Sequence, residues 1–312
     1  MTSKRVKLSK ERIKVMMIEW TYEKSEQNTL KSFLQEQSVS KKMLAKVKFK
    51  GGQLEVNDQI VRVRELLNYG DVVRMSIPIE PSNPHLIPSY NELDILFEDE
   101  HYIIINKPSG LASVPSPTHR EDTMANRIRG YVETQQYIHK TVHVVTRLDR
   151  ETSGAMIFAK HAFAHSMIDQ TLRRQEIDKT YQAVVSKVLI EKHAYIDGPI
   201  GRTMDSIITR MVREDGKPSL TEYWTEEILE EATLVKVKLH TGRTHQIRVH
   251  FAHDGHPLIG DDLYGEDSGR FHRQALHCSK LQFQHPFTDE DVLVEAPLPE
   301  DITGLIENLR GN

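Results

Sequence analysis

Hydrophobic and polar positions change rhythm along this chain, and the change divides it. Residues 14–22 (KVMMIEWTY) read as a short strand. Thr29 then stands where it can cap a helix that places Leu30, Phe33 and Leu34 on one face. Ser38 and Ser40 precede a second helical stretch, KKMLAKVKF, which ends at Gly51-Gly52. Two alternating stretches, QLEVN and QIVRV, meet at Asn57-Asp58 as a hairpin, and VVRMSI follows Gly70-Asp71 as a closing strand. Pro78, Pro81, Pro84 and Pro88 next fall within eleven residues, so residues 79–92 read as a semi-rigid spacer. From Leu93 onward the chain is dominated by β-branched and aromatic runs: DILFED, HYIIIN, HVVTRL, GAMIFA, TYQAVV, TLVKVKL and KLQFQ. Helical stretches are fewer, at about 122–135, 161–175 and 244–254. Strands that outnumber helices without regular alternation predict an α+β fold with a mostly antiparallel sheet. The expected organisation is a small α+β unit at 1–78, a Pro-rich linker at 79–92 and a larger sheet domain at 93–312.

Charge sharpens that division. The whole chain carries a net charge of −4, but residues 1–78 hold 16 Lys and Arg against 9 Asp and Glu, leaving the remainder strongly acidic. A basic front end on an acidic body suggests a module for a polyanion. Lys41, Lys42, Lys46, Lys48 and Lys50 crowd the second helix without an acidic residue among them. Lys42 and Lys46 share a face by their spacing, while Met43, Leu44 and Val47 can form the buried side. Mobile cations of this kind suit phosphate contacts. Composition excludes other classes. No window approaches the roughly 18 apolar residues of a membrane span. Cys278 is the only cysteine, which rules out an internal disulfide and points to a reducing cytoplasm. No Gly-x-Gly-x-x-Gly turn or Walker loop is present, so neither a dinucleotide nor ATP is expected.

Chemistry concentrates in two clusters. In VVTRLDRETSG (144–154), Asp149 sits between Arg147 and Arg150 directly after an apolar strand end. Neighbouring positive charge favours an ionised carboxylate, and an ionised carboxylate is a competent nucleophile. In TGRTHQIRVH (241–250), Arg243, His245 and Arg248 gather at a strand-to-helix junction, with Thr244 placed to cap the helix. That arrangement suits phosphates or a carboxylate partner. Tyr181 lies in an alternating strand, KTYQAVV. His240, His245, His250, His253 and His256 are spaced 5, 5, 3 and 3 apart without a His-Glu-x-x-His motif or a further ligand, so no metal is expected.

Two resemblances draw these pieces together. TLKSFLQEQ, SKKMLAKVKFKGGQLEVN and LLNYGDVV resemble the alpha-L RNA-binding motif named after ribosomal protein S-four, over about residues 27–77. It implies that Lys41, Lys42, Lys46 and Lys48 meet structured RNA. TRLDRETSG, KTYQAVV and GRTHQIRVH, preceded by NKPSG at 106–110 and followed by LHCSKLQFQHP at 276–286, resemble the RluA-type pseudouridine synthases. That resemblance spans nearly all of residues 93–312. It implies isomerisation of uridine in RNA to pseudouridine without metal or organic cofactor. Asp149 matches the essential aspartate, and Tyr181 the tyrosine that lies against the target base and is proposed to help remove a proton. Arg248 matches the arginine paired with the aspartate, and Arg147 the residue that helps hold the base out of its stack. Arg243 is expected to add an RNA contact. The chain departs from the family at Thr146, where histidine is usual. The expected partner is RNA, large-subunit ribosomal RNA foremost, with no membrane, for a monomer acting in the cytoplasm. The competing reading is an RNA-binding ribosome-assembly factor without catalysis. The joint presence of Asp149, Tyr181 and Arg248 weighs against it.

Overall fold

The computed structural model of the protein describes residues 5–7, 16–206, 208–265, 269 and 271–311. Positions 14 and 15 of the first expected strand lie outside them. The front end contains β1 (Arg5–Lys7), β2 (Met17–Thr21), β3 (Asn28–Thr29), α1 (Leu30–Glu36), α2 (Lys41–Phe49), β4 (Gln53–Val56), β5 (Gln59–Ile60), β6 (Leu66–Leu67) and β7 (Val72–Ser76). Its main sheet has the order β1-β2-β7-β4-β5. The caps are those the side chains predict. Thr29 accepts from the Ser32 N–H and Ser40 from the Met43 N–H, each satisfying a helix-end donor. Asn57 and Asp58 both adopt positive φ, which twists the β4–β5 hairpin as paired strands require.

The larger part contains β8 (Ile95–Glu98), β9 (Tyr102–Lys107), α3 (Met124–Thr134), β10 (His143–Val144), β11 (Ser153–Ala159), α4 (Ala162–Arg173), β12 (Asp178–Ser186), β13 (His193–Asp197), β14 (Ile200–Arg202), β15 (Arg210–Val212), β16 (Leu220–Leu229), β17 (Ala232–Leu239), α5 (Gln246–His253), β18 (Leu276–Gln284), β19 (Asp291–Glu295) and α6 (Glu300–Leu309). Its central sheet runs β13-β16-β17-β12-β18-β11-β9-β8, with β10 added to β11 and β19 to β18. Every pairing is antiparallel except β11 with β18. That one parallel contact depends on Gly154, which pairs with Cys278 at φ +113°. A Cβ there would fall 2.3 Å from the Cys278 carbonyl oxygen, so only glycine lets the two strands meet. The fold is therefore α+β and sheet-rich.

Residues 79–92 hold no helix or strand, as Pro78 before them and three prolines within them dictate, but they are bound rather than free-standing. The Ser89 N–H donates to the Asn126 carbonyl, and the Asn126 amide donates to the Ile87 carbonyl. Thr141 donates to the Pro81 carbonyl. Glu80 is buried, and it accepts from the Ala162 N–H at 2.7 Å, lies 3.1 Å from His143 Nε2 and pairs with Lys46 Nζ at 3.2 Å. It thus ties α2 to the start of α4. Alongside, Trp20 packs edge-on against Phe163, and one apolar cluster runs continuously from Leu30 and Phe33 to Phe163 and Phe287. The composition signals a break in secondary structure; the tertiary bonds that immobilise it come from side chains distant in sequence.

Burial alone would raise the Glu80 pKa, but the His143 hydrogen bond and charge, the Ala162 N–H and Lys46 outweigh it and bring it down to about 2. A carboxyl lowered on folding stabilises the folded state above its unfolded pKa and loses that contribution as pH falls. Glu80→Gln is expected to lower stability at pH 7 by about 2–3 kcal/mol and to flatten its decline between pH 4.5 and 2. Denaturant unfolding across that range checks both; a variant with the wild-type pH dependence contradicts the assignment.

Candidate active site

A cleft of about 960 Å³ opens where β11, β12 and β17 approach the N-terminal end of α5. Asp149, Tyr181, Arg147, Arg243 and His245 line it. Asp149 occupies the loop between β10 and β11, and two groups, one at the end of β9 and one in the segment after it, hold that loop. Ser113 Oγ donates to the Leu148 carbonyl at 2.6 Å and accepts from the Leu148 N–H at 3.0 Å. Lys107, wholly buried, donates to the carbonyls of Pro108, Leu111 and Arg150 at 2.9, 2.7 and 2.8 Å. Burial pushes the Lys107 pKa down to about 7. Three acceptors match the three donors of an ammonium, so the tripod is complete only in the charged form. The NKPSG segment therefore builds the floor beneath the aspartate.

Asp149 is partly exposed and one of its oxygens meets Arg248. Nη1 of Arg248 donates to Asp149 Oδ2 at 3.4 Å. The two arginines beside Asp149 in sequence do not supply this partner, contrary to what adjacency suggests. Arg150 turns to Glu151 at 2.7 Å, and Arg147 is exposed at the cleft mouth. Arg248 is itself forked by Asp261: Nε donates to Oδ2 and Nη2 to Oδ1, both at 2.7 Å. Both residues are buried. Asp261 also accepts from the Leu263 and Tyr264 N–H groups, so its charge is met from two directions. A buried ion pair holds only when its remaining hydrogen-bonding capacity is met, and this one nearly meets it. Sequence reading expected Arg248 to grip Asp149; its two-pronged grip falls on Asp261, and Asp149 receives a single bond, from Nη1. The Gly260-Asp261-Asp262 run carried the only signal, an acidic pair behind a glycine.

The other expected residues separate clearly. Tyr181 is buried on β12 with its pKa driven well above 10 by burial, so its hydroxyl stays protonated at rest. Cys278, opposite it on β18, is held as a thiol, pushed up to about 12 by burial. Thr146 is buried, and its hydroxyl accepts from the Ile157 N–H at 2.9 Å, which gives the residue in the usual histidine position a backbone-holding role. Arg243 is half-buried, with Nε and Nη2 both donating to the Pro218 carbonyl. Thr244 does not cap α5. The cap position is His245, in the left-handed region at φ 58°, without a side-chain cap bond. Buried Gln246 fastens the junction, accepting from Thr241 and the Arg243 N–H and donating to Leu220 and Thr221. The remaining clustered histidines disperse: His240 binds Glu222, His250 lies between Thr221 and Gly198, and His256 meets Ser186. Among the described residues, no group of three or more His, Cys, Asp or Glu could hold a metal ion. On α2, Lys41, Lys42 and Lys48 are exposed, while Lys46 is partly drawn inward to Glu80.

Comparison with known proteins agrees with this fold. Residues 101–253 match the RNA pseudouridylate synthase family. The Bacillus subtilis RNA pseudouridine synthase YjbO is 42% identical over 279 residues, spanning 89% of this chain and 98% of that protein. A Pseudomonas aeruginosa protein named ribosomal large subunit pseudouridine synthase D is 34% identical, spanning 84% of this chain and 85% of that one. The solved structure of human RNA pseudouridylate synthase domain containing 1 superposes with a TM-score of 0.56 at 26% identity, covering 72% of this chain and 97% of its own. The chain belongs to the RluA-type family of RNA pseudouridine synthases. Among the described residues, no helix is long and apolar enough to cross a membrane.

Removing the Asp261 charge leaves the buried Arg248 guanidinium without its forked partner and with only the longer contact to Asp149, at a cost of about 3–5 kcal/mol. Asp261→Asn is accordingly expected to lower folding stability by that order and to slow turnover, because Arg248 loses its anchor. Denaturant unfolding and single-turnover kinetics on the same preparation check this. Unchanged stability would show that the Arg248–Asp261 fork is not the anchor of the site.

Proposed function

We propose that Asp149 is the nucleophile of this synthase and that its substrate is a uridine in large-subunit ribosomal RNA. The observation that carries the first part is the carboxylate itself: partly exposed in the cleft, with one oxygen facing a guanidinium that a second, buried carboxylate fixes. An ionised carboxylate so placed is ready to attack carbon, and its partner cannot be deprotonated. The target uridine leaves the RNA stack and enters the cleft, at a cost of a few kcal/mol. An Asp149 oxygen bonds to ribose C1′, and the C1′–N1 bond breaks with its electron pair going to the uracil. The uracil turns, C5 bonds to C1′, and the carboxylate is released. C5 then loses a proton and N1 takes one up, so the change is redox-neutral. Tyr181, buried on one wall with a protonated hydroxyl, accepts the C5 proton only as it passes its own onward. Arg147 at the mouth fills the space the base vacates and meets phosphate.

The ribosomal assignment rests on the relatives named for the large ribosomal subunit and on the basic front end. Residues 1–78 act as an alpha-L RNA-binding domain joined through 79–92 to the catalytic domain at 93–312. In it, exposed Lys41, Lys42 and Lys48 take phosphates, with Lys46 adding its charge from the Glu80 side. The enzyme works as a monomer in the cytoplasm, where a lone buried cysteine stays reduced.

Asp149→Asn is expected to abolish pseudouridine formation in ribosomal RNA transcripts, measured as nucleosides by mass spectrometry, while RNA affinity stays near wild type. Product at wild-type rate would remove Asp149 from the chemistry. Replacing Lys41, Lys42 and Lys48 together by alanine is expected to leave the rate on saturating RNA intact. The salt dependence of binding should flatten by roughly 0.7–0.9 in log–log slope for each phosphate no longer neutralised. An unchanged slope would show that these lysines form only a solvated face.

A further inference from the structure

His245 occupies a backbone conformation that side chains beyond glycine, asparagine and aspartate seldom adopt, and no cap bond offsets the strain. What the conformation provides is direction. The ring's Nε2 faces Asp149 Oδ2 at 3.9 Å, and its Nδ1 lies 2.8 Å from the Tyr264 hydroxyl. The Tyr264 oxygen accepts from the Arg210 N–H at 2.9 Å, so its own proton is available to donate to His245 Nδ1. A neutral ring that accepts at Nδ1 carries its single hydrogen on Nε2. That hydrogen therefore points at the carboxylate. Arg248 Nη1 approaches the same oxygen, Oδ2, at 3.4 Å. Two donors converge on one oxygen of Asp149, and no described residue bonds the other, Oδ1.

We propose that His245, oriented by Tyr264, is a positioning residue of the isomerisation: its Nε2–H closes onto Asp149 Oδ2 when substrate fills the cleft and, with Arg248, turns Oδ1 toward ribose C1′. The proposal rests on Asp149 being the nucleophile. Catalytic hydrogen bonds commonly tighten only once substrate is bound, so the 3.9 Å separation is the open form of this contact. The neutral ring is the form the surroundings favour. Burial lowers the His245 pKa, and Arg248 on α5 and Arg210 on β15 add to the effect, against Asp149 before β11 and Asp261 after α5. Protonation at low pH would put a hydrogen on Nδ1 and end the donation from Tyr264.

The test separates positioning from mere support of the fold. Asparagine is at home in the left-handed region, and its side-chain oxygen can replace Nδ1 as the Tyr264 acceptor, but it has nothing at the Nε2 position. Glutamine fits that backbone less well but places an N–H near Nε2. H245N is expected to bind ribosomal RNA transcript and unfold as wild type does while its single-turnover rate falls about 10- to 100-fold. H245Q is expected to retain more activity than H245N despite lower stability. Y264F is expected to slow the reaction several-fold and to move the acid limb of the pH–rate profile to higher pH, because Nδ1 then protonates more readily. A wild-type rate in H245N, or H245N more active than H245Q, overturns the proposal. Wild-type turnover that is lost in D149N in the same assay upholds the Asp149 reading independently, so failure of one is distinguishable from failure of the other.

Discussion

The Arg248 guanidinium is the interaction on which the site depends. It is buried, permanently charged and shared between two carboxylates of different standing. Asp261, fully enclosed, takes two of its N–H groups in a fork; Asp149, open to the cleft, takes one. The asymmetry follows from geometry and solvation. A buried guanidinium left unpaired is costly, so the fold commits its planar face to a partner that never has to move. Nη1 is then left to serve a carboxylate that must stay reactive. A fork onto Asp149 would have engaged both its oxygens and left neither free of a donor.

Around that centre the chain uses backbone constraints to fix loops that carry charge. Lys107 and Ser113 hold the 148–150 segment from below, and Gln246 sews the strand-to-helix junction to β16. Gly154 permits the single parallel contact that brings β11, directly after the Asp149 loop, against β18. Each device is a hydrogen bond or a steric allowance rather than extra apolar area. Reacting groups gain rate from being held in register, and loops cannot supply that order by themselves.

Much of this was legible in the sequence. The caps at Thr29 and Ser40, the β4–β5 hairpin at Asn57-Asp58, the helices α1 to α4 and the strands β2, β4, β5 and β7 to β12 follow from local propensity and spacing, whereas the short β1, β3 and β6 do not. Asp149, Tyr181 and Arg248 were picked out by motif, and the fold brings all three to one cleft or its wall. Other features were hidden for physical reasons. β16 escaped detection because Glu222, Glu226 and Glu227 interrupt its alternation, and a register shift between Thr225 and Glu227 breaks the period. α6 was open to reading, since Ile302, Leu305, Ile306 and Leu309 have helical spacing. Asp261 could not be assigned because its partner lies across a turn on another element, and nothing local shows that it is buried. The left-handed His245 was masked by Thr244, whose type signals an ordinary cap. Pairing between neighbours in sequence misled as well: the arginines flanking Asp149 serve other ends.

The central claim is that one oxygen of Asp149 is held by Arg248 while the other addresses the ribose. A crystal structure of the wild-type enzyme bound to its product RNA measures this directly. The account predicts the pseudouridine flipped into the cleft, with its C1′ about 3–3.5 Å from Asp149 Oδ1 and Oδ2 still bonded to Arg248. A C1′ beyond the reach of Asp149, or an Arg248 that has left Asp261 to grip both oxygens of Asp149, would contradict it.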